Sequence, residues 1–470
     1  MIKYSFTVLL SFVFLSSLFA QDLKTNYSPI EIKGDISASS ISSSNLEGFR
    51  AFGKEKGLDQ KTLFKLESEI IRDKNKILSS GWVYYDDEVS KYVQSILNEL
   101  LETEPSLAGK IKIFVTRYSS VNAISLPEGT ILINIGLIAS MENESQLAAV
   151  ISHEIAHIKK QHVLANMRKK ENIKKEEENV YNPDGSVFRD LSFSRENEFE
   201  ADAVGLSMLT SSKYDGTEMA KALELLDYVD TTEKLFDLES IFNSEYFKVD
   251  TATITTKKIN KWLKKERNKD ENALVLGLVE DIYLSHPEIE KRSLAIQEIL
   301  KSTNYKSPKS SPSNEFEKIR NTASFELVYN CLSSGNYIRT IYEALRLSEK
   351  FPKNQFLRLE IMKSLYWMSQ VKEHDLLENV FENASLIPTK NYALISLLVE
   401  KPDNSQFKKL MYGYTKKFEE EMKGNEMFGV QLATATETYL GKEAANVFYK
   451  QFLKDFPESK FKSFITEKLK

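Results

Sequence analysis

Two of the five histidines in this 470-residue chain stand four positions apart with a glutamate between them, as His153-Glu154-Ile155-Ala156-His157. On a helix, residues four apart share a face, so both imidazoles reach one point in space. Glu154 is turned by about 100° from His153 and stands beside that point. Two neutral nitrogen ligands with a carboxylate alongside make a pattern suited to one zinc ion and a general base that takes a proton from a nearby water. The helix itself is well marked. Leu147, Val150, Ile151 and Ile158 form an apolar stripe, and Asn143-Glu144-Ser145 offers a cap with acid at the positive end.

A catalytic zinc site needs a third protein ligand and an open position. The single cysteine, Cys331, excludes a cysteine-rich site and an intramolecular disulfide. The best source is a second helix containing Ser194-Arg195-Glu196-Asn197-Glu198-Phe199-Glu200-Ala201-Asp202. Glu198 and Asp202 share a face, so Glu198 can ligate while Asp202 accepts the free N–H of a ligand histidine. Ala201 and Gly205 are small and let this helix approach the first one closely. Glu196 and Glu200 form an acidic pair of the same spacing, so spacing alone leaves them open as rivals.

Further elements must hold these helices. Helical periodicity runs over Leu58–Asp73 and Val89–Leu101, and strands are expected over Ile111–Val115 and Thr130–Asn134. With them in place, the residues resemble a known family. HExxH followed by SRxxExxAD is similar to the gluzincin metallopeptidases of the CAAX-prenyl-protease, HtpX and BepA type. Val121 to Thr130 (VNAISLPEGT) resembles the family's edge strand, with Ile124 and Glu128 departing from its pattern. Gly136-Leu137, Gln146 to Val150, Gly205-Leu206, Tyr214-Asp215 and Ser285-His286-Pro287 with Arg292 resemble further elements in the same order, from about Gly48 to Leu300.

The resemblance implies a zinc endopeptidase with His153, His157 and Glu198 as metal ligands, one Zn²⁺ per chain, Glu154 as general base and Asp202 behind a ligand histidine. It implies that Asn122 and Ala123 lie on the strand that pairs with substrate backbone. His286 falls on a position that either stabilises the developing oxyanion or latches the metal. In the latched case the protein acts instead as a zinc-containing, chaperone-like binder. Arg292 is expected as an ion-pair partner. His162, five residues beyond His157, is expected to point off the ligand face and be structural.

Composition sets the frame. Hydrophobic residues make up 41% and charged residues 28%, with a net charge of -5, so the chain is globular and carries no general footprint for nucleic acid. Residues 1–20 read as a secretory signal peptide, and 21–47 as a Ser-rich lead-in. No later stretch is long and apolar enough to span a membrane, though surface association stays open. The expected location is the periplasm or cell envelope, or the medium. Residues 48–302 form the expected metallopeptidase domain, 303–315 a Pro- and Ser-rich linker, and 316–470 an all-helical domain. There, Thr340, Ala344, Leu347 and Pro352, after Gly335 and Tyr337, have the same +4, +3 and +5 spacing as Ala445, Tyr449, Phe452 and Pro457, after Gly441, and resemble the second helix and terminal proline of a tetratricopeptide repeat. Such repeats bind a partner protein or position a protein substrate. Charged insertions near 163–193 and 231–280 carry no legible role. The expected architecture is thus an α+β, zincin-like, mostly helical metallopeptidase domain with a small sheet and an edge strand, followed by helical repeats.

Overall fold

The computed structural model describes residues 22–31, 46–55, 57–162, 195–226, 234–250, 254–275, 289–308, 313–374, 376 and 389–470. The signal-peptide reading, the 163–193 insertion and His286 lie outside them. The described chain begins with α1 (Leu46–Glu55) and α2 (Gln60–Leu78), then β1 (Val83–Tyr84), α3 (Glu88–Glu102), β2 (Lys112–Thr116), β3 (Ala123–Ser125) and β4 (Thr130–Asn134). Next come α4 (Ile135–Ser140), α5 (Glu144–Lys160), α6 (Arg195–Ser211), α7 (Glu218–Leu226), α8 (Leu238–Phe242), α9 (Thr256–Val275) and α10 (Ile289–Ser302). The remainder is helical: α11 (Asn314–Ser333), α12 (Tyr337–Lys350), α13 (Gln355–Glu373), α14 (Lys390–Glu400), α15 (Asn404–Lys416), α16 (Glu426–Leu440), α17 (Lys442–Asp455) and α18 (Lys462–Lys468). The protein is mostly helical around one small mixed sheet, and among the described residues no helix is long and apolar enough to cross a membrane.

The sheet has the order β1-β2-β4-β3. β4 is buried at all five positions because β2 pairs with it in parallel on one side and β3 antiparallel on the other. β3 is therefore the outer strand. Its register is fixed by Asn134 N donating to Asn122 O and Leu126 N to Thr130 O, at 3.1 and 2.7 Å. In that antiparallel alternation, Ala123 and Ser125 turn their backbone groups away from β4. Gly136, just after β4, is obligatory. A Cβ there would sit 1.9 Å from the carbonyl oxygen of Ser119, where the chain crosses α4.

α5 forms where the pattern places it. The Asn143 side chain caps it by accepting from Gln146 N at 3.0 Å, with Glu144 in the first turn. It packs on β3, α6 and α7, and Ile151, Ile155 and Ile158 join the main core.

The first core does not end with α10. Helix α11, beyond the expected linker, sends Phe316, Ile319, Ala323 and Leu327 into it against α3 and α4. The same helix turns Phe325 and Val328 toward α12 and a second, helical core. The 231–280 insertion also contributes to that second core, through Leu238, Phe242, Ile259 and Trp262. Within the helical part, Gly335 (φ 80°) lies between α11 and α12 and Gly441 (φ 92°) between α16 and α17, both in the left-handed region. Phe351 and Phe456, which end α12 and α17, have nearly the same backbone angles.

Residues 22–31 strap the two cores together. Glu326 on α11 is fully buried and accepts from Tyr27 Oη (2.6 Å), Ile30 N (2.7 Å), Tyr84 Oη (2.6 Å) and Arg117 Nη1 (3.3 Å). Arg117 in turn donates to Ile30 O at 3.1 Å. Replacing Glu326 with Leu strands the buried Arg117 and two phenols. It is expected to cost about 3–5 kcal/mol in urea unfolding and to open residues 22–31 to limited proteolysis. An unchanged midpoint and an unchanged cleavage map would show that the strap is incidental.

Candidate active site

α5 and α6 cross closely, and the ligand candidates sit at the crossing. His153 Nε2 and His157 Nε2 lie 2.9 Å apart. Glu198 from α6 brings Oε2 to 3.6 Å from His153 Nε2 and Oε1 to 3.3 Å from His157 Nε2. All three side chains are buried. Ligands of a tetrahedral zinc at about 2.0–2.1 Å would be about 3.3 Å from one another, so the donor set fits a zinc ion in kind and in spacing. Among the described residues this His-His-Glu group is the one cluster of the right kind with ligand atoms within 4.8 Å.

The helix crossing depends on Gly205. A Cβ at that position would lie 3.0 Å from His153 N and 3.1 Å from Ser152 O, against backbone that cannot yield. Gly205→Val is therefore expected to push α6 off α5, lowering stability by about 1–3 kcal/mol in denaturant titration and weakening metal binding in parallel. A variant with wild-type stability and metal affinity would contradict this role.

The acids of α6 separate by position. Glu198 converges on the histidines, Glu196 is exposed, and Glu200 turns to Lys160 (2.6 Å) and His162 (3.1 Å). Asp202 Oδ1 stands 2.9 Å from His153 Nδ1. Its carboxylate is gripped by Arg292 of α10 through two bonds, from Nε (2.6 Å) and Nη2 (2.7 Å). Arg292 Nη1 also reaches Glu198 Oε2 at 2.6 Å, and its side chain is fully buried. One guanidinium thus sets both the third ligand candidate and the group behind the first.

Electrostatics follow from burial and these contacts. Burial, then the neighbouring His157, pushes the His153 pKa below the usual histidine range against the pull of Asp202 and Glu198. The ring is therefore neutral near pH 7 and able to ligate. Burial works against ionised Asp202, but the Arg292 and His153 hydrogen bonds outweigh it and hold the carboxyl below the usual carboxylate range.

Glu154 is 2% exposed, and its Oε2 has no hydrogen-bond partner among the described residues. A carboxylate oxygen buried without a donor is costly unless something polar comes to it. It faces a cavity that it lines together with His153, Arg292, Asn122 and Ala123. Leu137, Met219 and Leu223 add apolar lining to the same cavity. The structure thus brings His153, Glu154, His157, Glu198, Asp202, Asn122 and Ala123 to one place, while His286 lies outside the described residues.

His162 lies behind His157, on the side away from the converging Nε2 atoms. A helix continued through it would turn it away from the ligand face. Instead α5 stops at Lys160, and Gln161 adopts a left-handed conformation (φ 55°, ψ 35°). The reversal folds His162 back, leaving its Nδ1 3.0 Å from His157 Nδ1.

Comparison with known proteins agrees with this geometry. The model of peptidase family M48 matches residues 87–175 and 184–300. A beta-barrel assembly-enhancing protease of Yersinia pestis is 23% identical over 168 residues, covering 32% of this chain and 35% of the relative. The protein of the same name in Escherichia coli (strain K12) is 24% identical over 161 residues, covering 30% and 33%. The mitochondrial metalloendopeptidase OMA1 of Arabidopsis thaliana is 33% identical over 112 residues, covering 22% and 23%. The chain therefore spans about a third or less of the length of these curated relatives. The matched residues include the helices that carry the His-His-Glu cluster, so the similarity to peptidase family M48 covers the candidate metal site.

Proposed function

We propose that this protein is a zinc-dependent endopeptidase acting on extended or loosely folded polypeptides. The observation that carries the reading is the convergence of His153, His157 and Glu198 beside a buried Glu154 oxygen that has no donor among the described residues. His153 and His157 would hold the ion through Nε2 and Glu198 through its carboxylate. When bound, zinc supplies Lewis acidity toward a carbonyl oxygen and toward water. Glu154 takes the proton of the attacking water and returns it to the nitrogen of the leaving amine. Asp202 holds the Nδ1–H of His153, and Arg292 holds Asp202 and Glu198 in register. The outer edge of β3 at Ala123 and Ser125 binds substrate backbone by main-chain hydrogen bonds, which favours an extended chain. The apolar cavity accepts a side chain flanking the scissile bond.

The protein is exported to the cell envelope in this reading, and its helical part binds a partner or substrate protein. The apolar leader and the likeness to two proteins named beta-barrel assembly-enhancing protease support that part. A time course on a permanently unfolded protein tests the activity. Zinc-loaded protein should generate fragments, a chelator should stop it, and added zinc should restore it. Fragments that persist after complete metal removal would contradict the reading.

A further inference from the structure

We propose that His162 is the positioning residue for His157, through a directed relay from His157 to His162 to Glu200. The proposal rests on the reading of His157 as a metal ligand through Nε2. With Nε2 turned toward the ion, the ring proton of neutral His157 sits on Nδ1. That nitrogen faces His162 Nδ1 at 3.0 Å, so His162 accepts there. The proton of neutral His162 then sits on Nε2, which faces Glu200 Oε2 at 3.1 Å, an acceptor. Every atom in the chain has the role its neighbour requires, and one tautomer of each ring satisfies all of it. Glu200 is held in turn by Lys160 at 2.6 Å.

The two ligand histidines are thus oriented differently. His153 is held directly by the buried carboxylate of Asp202 at 2.9 Å. His157, fully buried, is held by a second imidazole that carries its hydrogen bond out to a half-exposed glutamate. The backbone is arranged for this. Gln161 takes a left-handed conformation that costs a non-glycine residue about 1–2 kcal/mol. Its side chain supports the turn by donating from Nε2 to Ile158 O at 2.8 Å and to Pro127 O at 3.3 Å. The His162 ring is 4% exposed and meets that of His157 edge-on, with centroids 5.1 Å apart.

Zinc affinity, measured on the full protein by competition with a chromophoric chelator, separates positioning from packing. His162→Phe keeps the ring and removes the acceptor. His162→Asn loses the ring but offers an amide oxygen near the place of Nδ1. The relay predicts that the Phe variant loses about 10–100-fold in zinc affinity, that the Asn variant recovers most of it, and that Glu200→Gln shows a smaller loss. Circular dichroism of the metal-free variants checks that each is folded. Wild-type affinity in the Phe variant overturns the relay. So does an Asn variant as weak as the Phe variant or weaker, because that is the signature of packing. His157→Ala is measured alongside and should no longer bind zinc. If it binds as wild type does, the ligand assignment itself fails and the relay with it, an outcome distinct from the other two.

Discussion

Glu154→Gln is expected to leave one zinc bound per chain and to lower kcat/KM on an unfolded protein by at least about 10²–10⁴-fold. The separation of the two effects follows from position. Glu154 is not one of the three converging ligands, so the amide removes none of them. It shares the cavity with His153, with Ala123 of the outer strand and with Asn122 just before it, where a scissile bond held on that strand would lie. The amide is nearly the same size but cannot take up and return a proton, and the whole loss falls on turnover. Metal analysis and a fragment time course on the same preparation read both quantities. A variant that cleaves as fast as wild type would remove Glu154 from the chemistry. A variant that has lost zinc would place it among the ligands.

Arg292→Ala is expected to be the most destabilising single change near the site, by about 3–5 kcal/mol. The guanidinium is fully buried and makes three close contacts, two with Asp202 and one with Glu198. Removing it leaves two buried carboxylates facing each other across the vacated space. Arg292→Lys does not restore the arrangement, because an ammonium cannot hold one carboxylate in a fork while reaching a second. A ligand that binds only the folded state adds stability according to its affinity, and a variant whose Glu198 and Asp202 are no longer held in register gains less from zinc. The deficit should therefore be larger in zinc than in chelator when urea unfolding is compared under both conditions. A loss under 1 kcal/mol, equal in both, would show that Arg292 is neither a clamp nor coupled to the metal site.

The chemistry was more legible in the sequence than the architecture around it. The α5 stripe, its Asn143 cap and the spacing of His153, Glu154 and His157 are local features, and local features set helix position and facing. β4 falls on the expected Thr130–Asn134, and β2 is displaced by one residue from Ile111–Val115 to Lys112–Thr116. The choice among Glu196, Glu198 and Glu200 was open from spacing, because all three ride one helix. The turn of α6 toward α5 at Gly205 separates them.

What escaped the sequence depended on where a helix stops or on distant contacts. The contact of His162 with His157 is not legible in the sequence, because a left-handed Gln161 has no reliable signature in residue type. The role of the 231–280 insertion lies in Leu238, Phe242, Ile259 and Trp262 reaching helices more than a hundred residues away. Helix α11 is apolar on opposite sides because it serves two cores, a pattern that has no single amphipathic face to read. Glu326, one of three acids in that helix, gains its meaning only from Tyr27, Tyr84 and Arg117.

X-ray absorption at the zinc edge of the metal-loaded protein tests the central claim most directly. The account predicts one ion with only nitrogen and oxygen donors at about 2.0–2.1 Å, the outer-shell scattering of two imidazoles, and loss of that signal in His157→Ala. A sulfur shell at about 2.3 Å, or a spectrum unchanged by His157→Ala, would place the metal elsewhere and contradict it.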